Sequence, residues 1–509
     1  MSFSAEMSTG DRRISLVPPP PSNVVSAVEA SMPGHCPGSA DWRALLDMRP
    51  SLDDLAGLGF TRQVDRLRAI AVTGLAETAD DERLMALYNL PIPITAAAQF
   101  DALFPEARTR RAQRVSYLGG QHAWLPDAVS DFFAQGPGRV ERVLWIIRVP
   151  EDDGIRGFLP RPGADWFSTD PWSGLGPFEL ACLPPDAAYL ALPDLERLQL
   201  PARLRDLDTL DLPRPEPRFL PCAGSLAPVT DPDPETADPP APPLPLGQVL
   251  GPIAQTLAHV RPDMHAVMTL PFAPEGIRDR GFPAPAPAAL EALSDFSGST
   301  AEAGLRQVQL LYPYLRSPER SLSSPSGLIC AHMAATTVLQ GAWTSIAGRP
   351  LSRLQQAYPP LDQHQAAALR DDHGIGVLTE RNGLLMLDDE RLVRPAFGGR
   401  SASPSGEVSR FIGWLRRELR RFGERLIFLA DPDDPRAGIL LDSFFNRLYA
   451  QGALAGDAPE DSYSVTQRSA GDGTLLFEIG LAPSVPIDRI RVTLSRDRLD
   501  FAPTESGGT

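Results

Sequence analysis

Four segments near the end of the chain decide the reading: Gly438-Ile-Leu-Leu-Asp-Ser-Phe-Phe-Asn-Arg-Leu448, Tyr463-Ser-Val-Thr-Gln467, Thr474-Leu-Leu-Phe-Glu-Ile-Gly-Leu481 and Ile487-Asp-Arg-Ile-Arg-Val-Thr-Leu-Ser-Arg496. In the first, Leu440, Leu441, Phe444, Phe445 and Leu448 recur at three- and four-residue spacing, which predicts a helix with one buried face. Gly452 and Gly456 supply its stop. The second and third are short runs of strand formers. In the fourth, Ile490, Val492 and Leu494 alternate with Arg489, Arg491 and Thr493, the period of a half-buried strand. Pro483 and Pro486 set this strand apart, so it reads as a terminal edge able to pair with another backbone.

These residues also carry a family resemblance. Leu448-Tyr-Ala-Gln-Gly-Ala-Leu-Ala-Gly-Asp-Ala-Pro459, Tyr463-Ser-Val465 and Glu478-Ile-Gly-Leu-Ala-Pro-Ser-Val-Pro486 resemble the C-terminal domain of phage tail sheath proteins and contractile injection system sheaths. Tyr312-Pro-Tyr-Leu315, Pro325-Ser-Gly327 and Gly341-Ala-Trp-Thr-Ser-Ile-Ala-Gly348 are similar to the core of that family. The resemblance implies a structural subunit that polymerises around an inner tube and contracts by rearrangement of subunits. Ile487, Arg489, Ile490, Arg491, Val492 and Leu494 would then form the intersubunit strand. One departure stands out: the Pro-Gly-Val-Tyr type motif that opens the family's N-terminal arm is missing.

Composition narrows the function classes. At 509 residues, two or three domains are expected, and 43% hydrophobic residues suffice for globular cores. A net charge of -16 argues against a general binder of nucleic acid or anionic membranes. All 48 basic residues are arginine, which excludes the phosphate lysine of nucleotide-binding loops, Schiff-base chemistry and the kinase strand lysine. The four cysteines, Cys36, Cys182, Cys222 and Cys330, are scattered and suggest neither a zinc knuckle nor a disulfide scaffold. No signal pattern or apolar run of membrane-spanning length is visible, so cytoplasmic assembly into a virion or phage-tail-like particle is expected.

Taken in order, residues 1–66 read as an extended N-terminal arm, with Pro18 to Pro21 and the Pro-Gly pairs at Pro33 and Pro37. Residues 67–194 form a first core segment, with strands at Ala69 to Glu77, Val143 to Val149 and Tyr189 to Asp194. Its helices are Ile94 to Phe104, capped at Thr95, and Leu125 to Phe133. Residues 195–246 are a Pro-rich insertion or linker. Residues 247–370 form a second core segment: helix Gly247 to Val260, strands at His265 to Pro271 and Val308 to Tyr314, and helix Leu328 to Ala347. Residues 371–509 form the C-terminal sheath domain, opening on short strands at Gly376, Gly383 and Arg391. The expected fold class is α+β or α/β, multidomain, with a mixed sheet plus helices.

One helix in the last domain is unusual. From Ser403-Pro404 to Leu426, Val408, Phe411, Ile412, Leu415, Leu419, Phe422 and Leu426 share a face. The other side carries Arg410, Arg416, Arg417, Arg420, Arg421 and Arg425 against Glu418 and Glu424. Either this is a solvated face, or it is a surface that meets an acidic inner tube.

No pattern of enzyme chemistry emerges. The seven histidines make no His-x-x-x-His or Glu-x-x-His pair, and Cys330 and His332, two apart on a helix, point to different faces. His35-Cys36 lacks an orienting carboxylate on a Pro-Gly arm, and Asp371-Asp372-His373 reads as a turn. Phe397-Gly-Gly-Arg-Ser401 lacks the grammar of a phosphate loop. The expected partners are other copies of the chain, an inner tube protein, and baseplate and tail-end proteins, with no cofactor, nucleic acid or membrane insertion. A non-contractile component at the baseplate or tail end is the alternative, and an enzyme ranks last.

Overall fold

The computed structural model describes residues 28–107, 123–134, 140–200, 244–273, 284–285, 287–294, 296, 301–317, 320–352, 355–393, 405–427, 436–470, 474–484, 490–494 and 499–503. The Pro-rich stretch from 201 to 243, the first 27 residues, and Phe397 to Ser401 lie outside them.

Among the described residues, fourteen strands precede the long arginine-bearing helix. They are β1 (Val28–Gly34), β2 (Pro91–Ile94), β3 (Arg142–Arg148), β4 (Ala187–Ala191), β5 (His265–Thr269), β6 (Phe272–Ala273), β7 (Ala284–Pro285), β8 (Val308–Tyr312), β9 (Tyr314–Ser317), β10 (Arg320–Ser323), β11 (Pro350–Ser352), β12 (Gln356–Tyr358), β13 (Gly376–Arg381) and β14 (Leu384–Leu387). Nine of them make one mixed sheet in the order β11-β14-β13-β8-β5-β4-β1-β3-β2. The six strands from β13 to β3 run parallel, and antiparallel pairings flank them: β2 with β3 on one side, β14 with β13 and β11 with β14 on the other. Helices cover the sheet, so β4, β5 and β8 are buried at every residue and are mostly apolar. Helix Ser326–Gln340 lies against β1, β4 and β5 and is buried from Ser326 to Thr337.

The first 66 residues are not wholly an arm. Val28–Gly34 is a central strand, and helices Trp42–Asp47, Arg49–Leu55 and Thr61–Thr73 follow it. Proline and glycine in this strand suggest irregular chain, but the strand is central and its glycine is demanded by packing. A Cβ on Gly34 would come within 2.5 Å of Leu125 Cβ and 2.8 Å of Asp194 Oδ2. The expected strand at Ala69 to Glu77 is also corrected. Val64, Leu67 and Ile70 are the buried repeat of the Thr61–Thr73 helix, while Val72 and Leu75 are exposed. Ile94 closes β2, and the following helix, Ala97–Leu103, is capped by the Gln99 side chain, which accepts from Thr95 N at 2.6 Å, and not by Thr95. The strands at Gly376 and Leu384, expected in the C-terminal domain, extend the large sheet through β13 and β8.

A second, smaller core follows. Helices Gly406–Ile427 and Arg436–Ala450 pack with an antiparallel sheet of β15 (Tyr463–Ala470), β16 (Thr474–Leu481), β17 (Ile490–Leu494) and β18 (Leu499–Pro503). Phe411, Trp414, Leu415, Leu419, Leu441, Phe445, Leu448, Phe477, Ile479 and Leu481 form its interior. Leu441, Phe445 and Leu448 belong to the apolar repeat quoted at the outset.

Candidate assembly site

The C-terminal sheet is an open meander in the order β15-β16-β17-β18. Along β15, Tyr463, Val465 and Gln467 are half-buried while Ser464, Thr466 and Arg468 are exposed, so one face lies on the helices and the other meets solvent. On β16, Phe477, Ile479 and Leu481 are buried. The register places Leu494 opposite Phe477, Val492 opposite Ile479 and Ile490 opposite Leu481.

That register corrects the expected terminal edge. Ile490, Arg491, Val492 and Leu494 lie on a strand paired on both sides within its own chain, to β16 and to β18. Ile487 and Arg489 lie outside the described residues. One more strand follows, Leu499-Asp-Phe-Ala-Pro503, whose shortness and closing proline hide it in the sequence. Among the described residues, the strands of this sheet with one neighbour are β15 and β18.

The sheets differ in how their edges are finished. In the large sheet, the edge strand β2 reads Pro91-Ile-Pro-Ile94 and the opposite edge β11 starts at Pro350. Proline has no N–H to offer and blocks addition of another strand. Edge β15, Tyr463-Ser-Val-Thr-Gln-Arg-Ser-Ala470, is eight residues long and has no proline.

The arginine helix faces inward. Phe411, Trp414, Leu415 and Leu419 join the second core, and the other side meets the large sheet at the segments before β4 and β5. Gly413 permits this approach, since a Cβ there would come within 2.5 Å of Asp263 O. Arg410 binds Glu390 and donates from Nη2 to Thr344 O at 3.0 Å. Arg416 donates to Pro262 O and Arg417 to Asp263 O. Arg420 donates to Pro185 O at 2.6 Å, and Arg421 pairs with Asp186 at 2.8 Å and Glu418 at 2.5 Å. The expectation that these five residues present a charged row to an acidic tube is therefore corrected: their hydrogen bonds are made within the chain. The Arg425 side chain lies outside what is described.

Beneath the helix, Arg261 donates to Asp263 through Nε and Nη2, both at 3.0 Å, and to the carbonyls of Cys182, Pro184 and Ala187 at 2.6, 2.8 and 2.7 Å. Burial pushes the Asp263 carboxyl up, but Arg261 and Arg417 outweigh it and hold the group below the usual carboxylate range. His265, hydrogen-bonded to Gln309 at 3.2 Å, is driven down to about 3 by burial and by Arg410. The acceptors Glu390, Asp263 and Asp186 were missed in the sequence because they lie far from the helix along the chain. The available signal was Gly413, a glycine in mid-helix.

The groups weighed for catalysis are structural here. His35 and Cys36 follow β1 and are buried, not on a loose arm. His35 N donates to Asp194 Oδ2 at 2.8 Å and its Nδ1 lies 2.8 Å from Arg197 Nη2. Asp194 also accepts from Trp124 N at 2.8 Å, Leu125 N at 3.1 Å and Arg197 Nε at 2.7 Å, tying β1, β4 and two helix starts together. Burial pushes the Cys36 thiol well up, away from reactivity. His332 bonds to Leu351 O at 2.9 Å, and Cys330 is buried beside it on the same helix.

A chain of the anti-feeding prophage helical sheath in its contracted state aligns over 91% of this chain and 92% of its own length, at 15% identity and a TM-score of 0.50. The chain has the fold of a contractile sheath protein. A chain from the anti-feeding prophage baseplate, 6-fold symmetrised, aligns over 79% of this chain and 86% of its own, at 17% identity and a TM-score of 0.50. No family model and no curated protein sequence matches the chain. At these identities the shared property is the sheath fold itself, with its large mixed sheet and helices.

Proposed function

We propose that the chain is a structural subunit of a contractile sheath in a phage tail or phage-like injection system. Subunits join through main-chain pairing at the C-terminal sheet, polymerise around an inner tube and contract by rigid rearrangement. The observation that carries this reading is the contrast of edges: proline blunts both rims of the large sheet, while β15 offers eight residues without one. The sheath fold, extending over nine-tenths of the chain, supports it. Energy for contraction lies in the difference between two packings of the same subunits, with no nucleotide consumed. Assembly in the cytoplasm and contacts with baseplate and tail-end proteins belong to the same proposal.

The likeness to a chain of a baseplate assembly favours a second reading, a non-contractile ring at the particle's end. Negative-stain microscopy of the purified full chain, alone and co-expressed with its operon neighbours, separates the two. Long striated tubes support the sheath, single rings support the terminal component, and monomers under all conditions contradict both.

A further inference from the structure

Two exposed features lie within residues 46–172. Phe167 is 95% exposed at the tip of a loop. That loop is firmly held: Asp165 Oδ1 accepts from Phe167 N at 3.1 Å, Ser168 Oγ donates to Asp170 O at 3.1 Å, and Trp172 Nε1 donates to Tyr88 O at 3.0 Å. Gln63 Nε2 ties Asp170 to the start of the Thr61–Thr73 helix at 3.0 Å. Toward the other end of that helix lies a half-open groove of about 470 Å³, lined by Leu46, Leu52, Ala71 and Val72 with Arg49, Arg68 and Asp53 at its rim. Val72 is 88% exposed.

Single exposed apolar residues are ordinary on protein surfaces. Here the aromatic is held out on a hydrogen-bonded loop, and a groove that the described residues leave open lies toward the far end of the helix to which that loop is tied. The charges complement each other: Asp165, exposed and two residues before Phe167, carries a negative charge, and Arg49 and Arg68 line the groove with Asp53. Among the described residues Arg68 pairs with Asp65 at 3.3 Å, with both side chains more than half exposed, so that pair yields readily.

We propose that Phe167 of one copy inserts into the Leu46–Leu52–Ala71–Val72 groove of the next copy, with Asp165 facing Arg49 and Arg68. The two surfaces differ, so the contact is head-to-tail and propagates around a ring or along a helix instead of closing a two-fold dimer. It rests on the assembly reading above and adds a side-chain contact to the main-chain pairing at the C-terminal sheet.

The test uses the full chain with Cys222→Ser as background, Cys36, Cys182 and Cys330 being buried. Phe167→Cys with Val72→Cys, oxidised after assembly, gives a ladder of covalent multimers, and neither single variant does. Phe167→Asp raises the concentration needed for assembly at least tenfold with unchanged Tm, and Phe167→Leu restores most of it. Normal assembly by Phe167→Asp, or assembled paired-cysteine particles without a ladder, overturns this contact alone. A parent chain that stays monomeric at every concentration overturns the assembly reading and the contact together.

Discussion

Arg410 and Glu390 form an ion pair whose side chains are 2% and 0% exposed. Glu390 also accepts from Ile346 N, and Arg410 donates to Thr344 O, so each ion also bonds to the segment after helix Ser326–Gln340. The pair fastens the first turn of the arginine helix to the end of the large sheet. Taking both ions out of water is expensive, and such a pair specifies geometry more than it adds net stability.

Replacing one partner leaves the other buried and uncompensated. Arg410→Met or Glu390→Gln is expected to cost about 3–5 kcal/mol in urea unfolding. The double variant Arg410→Met with Glu390→Met should lose less than either single change. A double variant at the sum of the two would contradict the pairing.

Gly413 tests the contact between the helix and the sheet. Gly413→Ala puts a methyl group against Asp263 O and should destabilise by about 1–3 kcal/mol. The same change at Gly423, which has nothing within 4 Å of an added Cβ, should be neutral or slightly stabilising. Thermal unfolding of the two variants side by side reads the difference.

Glu196 gives a pH signature. Burial pushes its carboxyl up to about 8, with Ser324, Thr269 and Ser326 pulling the other way. A raised folded value means that the native state holds the proton more tightly, so this contribution is complete below the ordinary value of 4.5 and is lost as pH rises through about 8. Relative to Glu196→Gln, the parent chain should lose stability steadily from pH 5 to pH 8 and then level off. Parallel curves of midpoint against pH would contradict this.

Much of the fold was legible where one periodicity acted alone. The Leu441, Phe445 and Leu448 stripe, the apolar runs of β3 and β5, and the strands β15 and β16 all show their period in the sequence. Val28–Gly34 was not legible, because a central strand with Pro33 and Gly34 draws its place from neighbours on other elements. The arginine helix misled for a related reason. Its polar side looks solvated until Asp263 and Glu390, more than a hundred residues and twenty residues away, are brought against it. Charge on one face of a helix does not say whether water or protein lies opposite.

The most direct test of the account is a pair of proline variants on β15. Adjacent residues of an edge strand turn their N–H groups alternately to the partner strand and to the open side. Of Val465→Pro and Thr466→Pro, one should lose a bond to β16 and fall in Tm, while the other should keep its Tm and fail to assemble in sedimentation and microscopy. Tubes or rings formed at the parent concentration by the variant that keeps its Tm would contradict edge pairing as the basis of assembly.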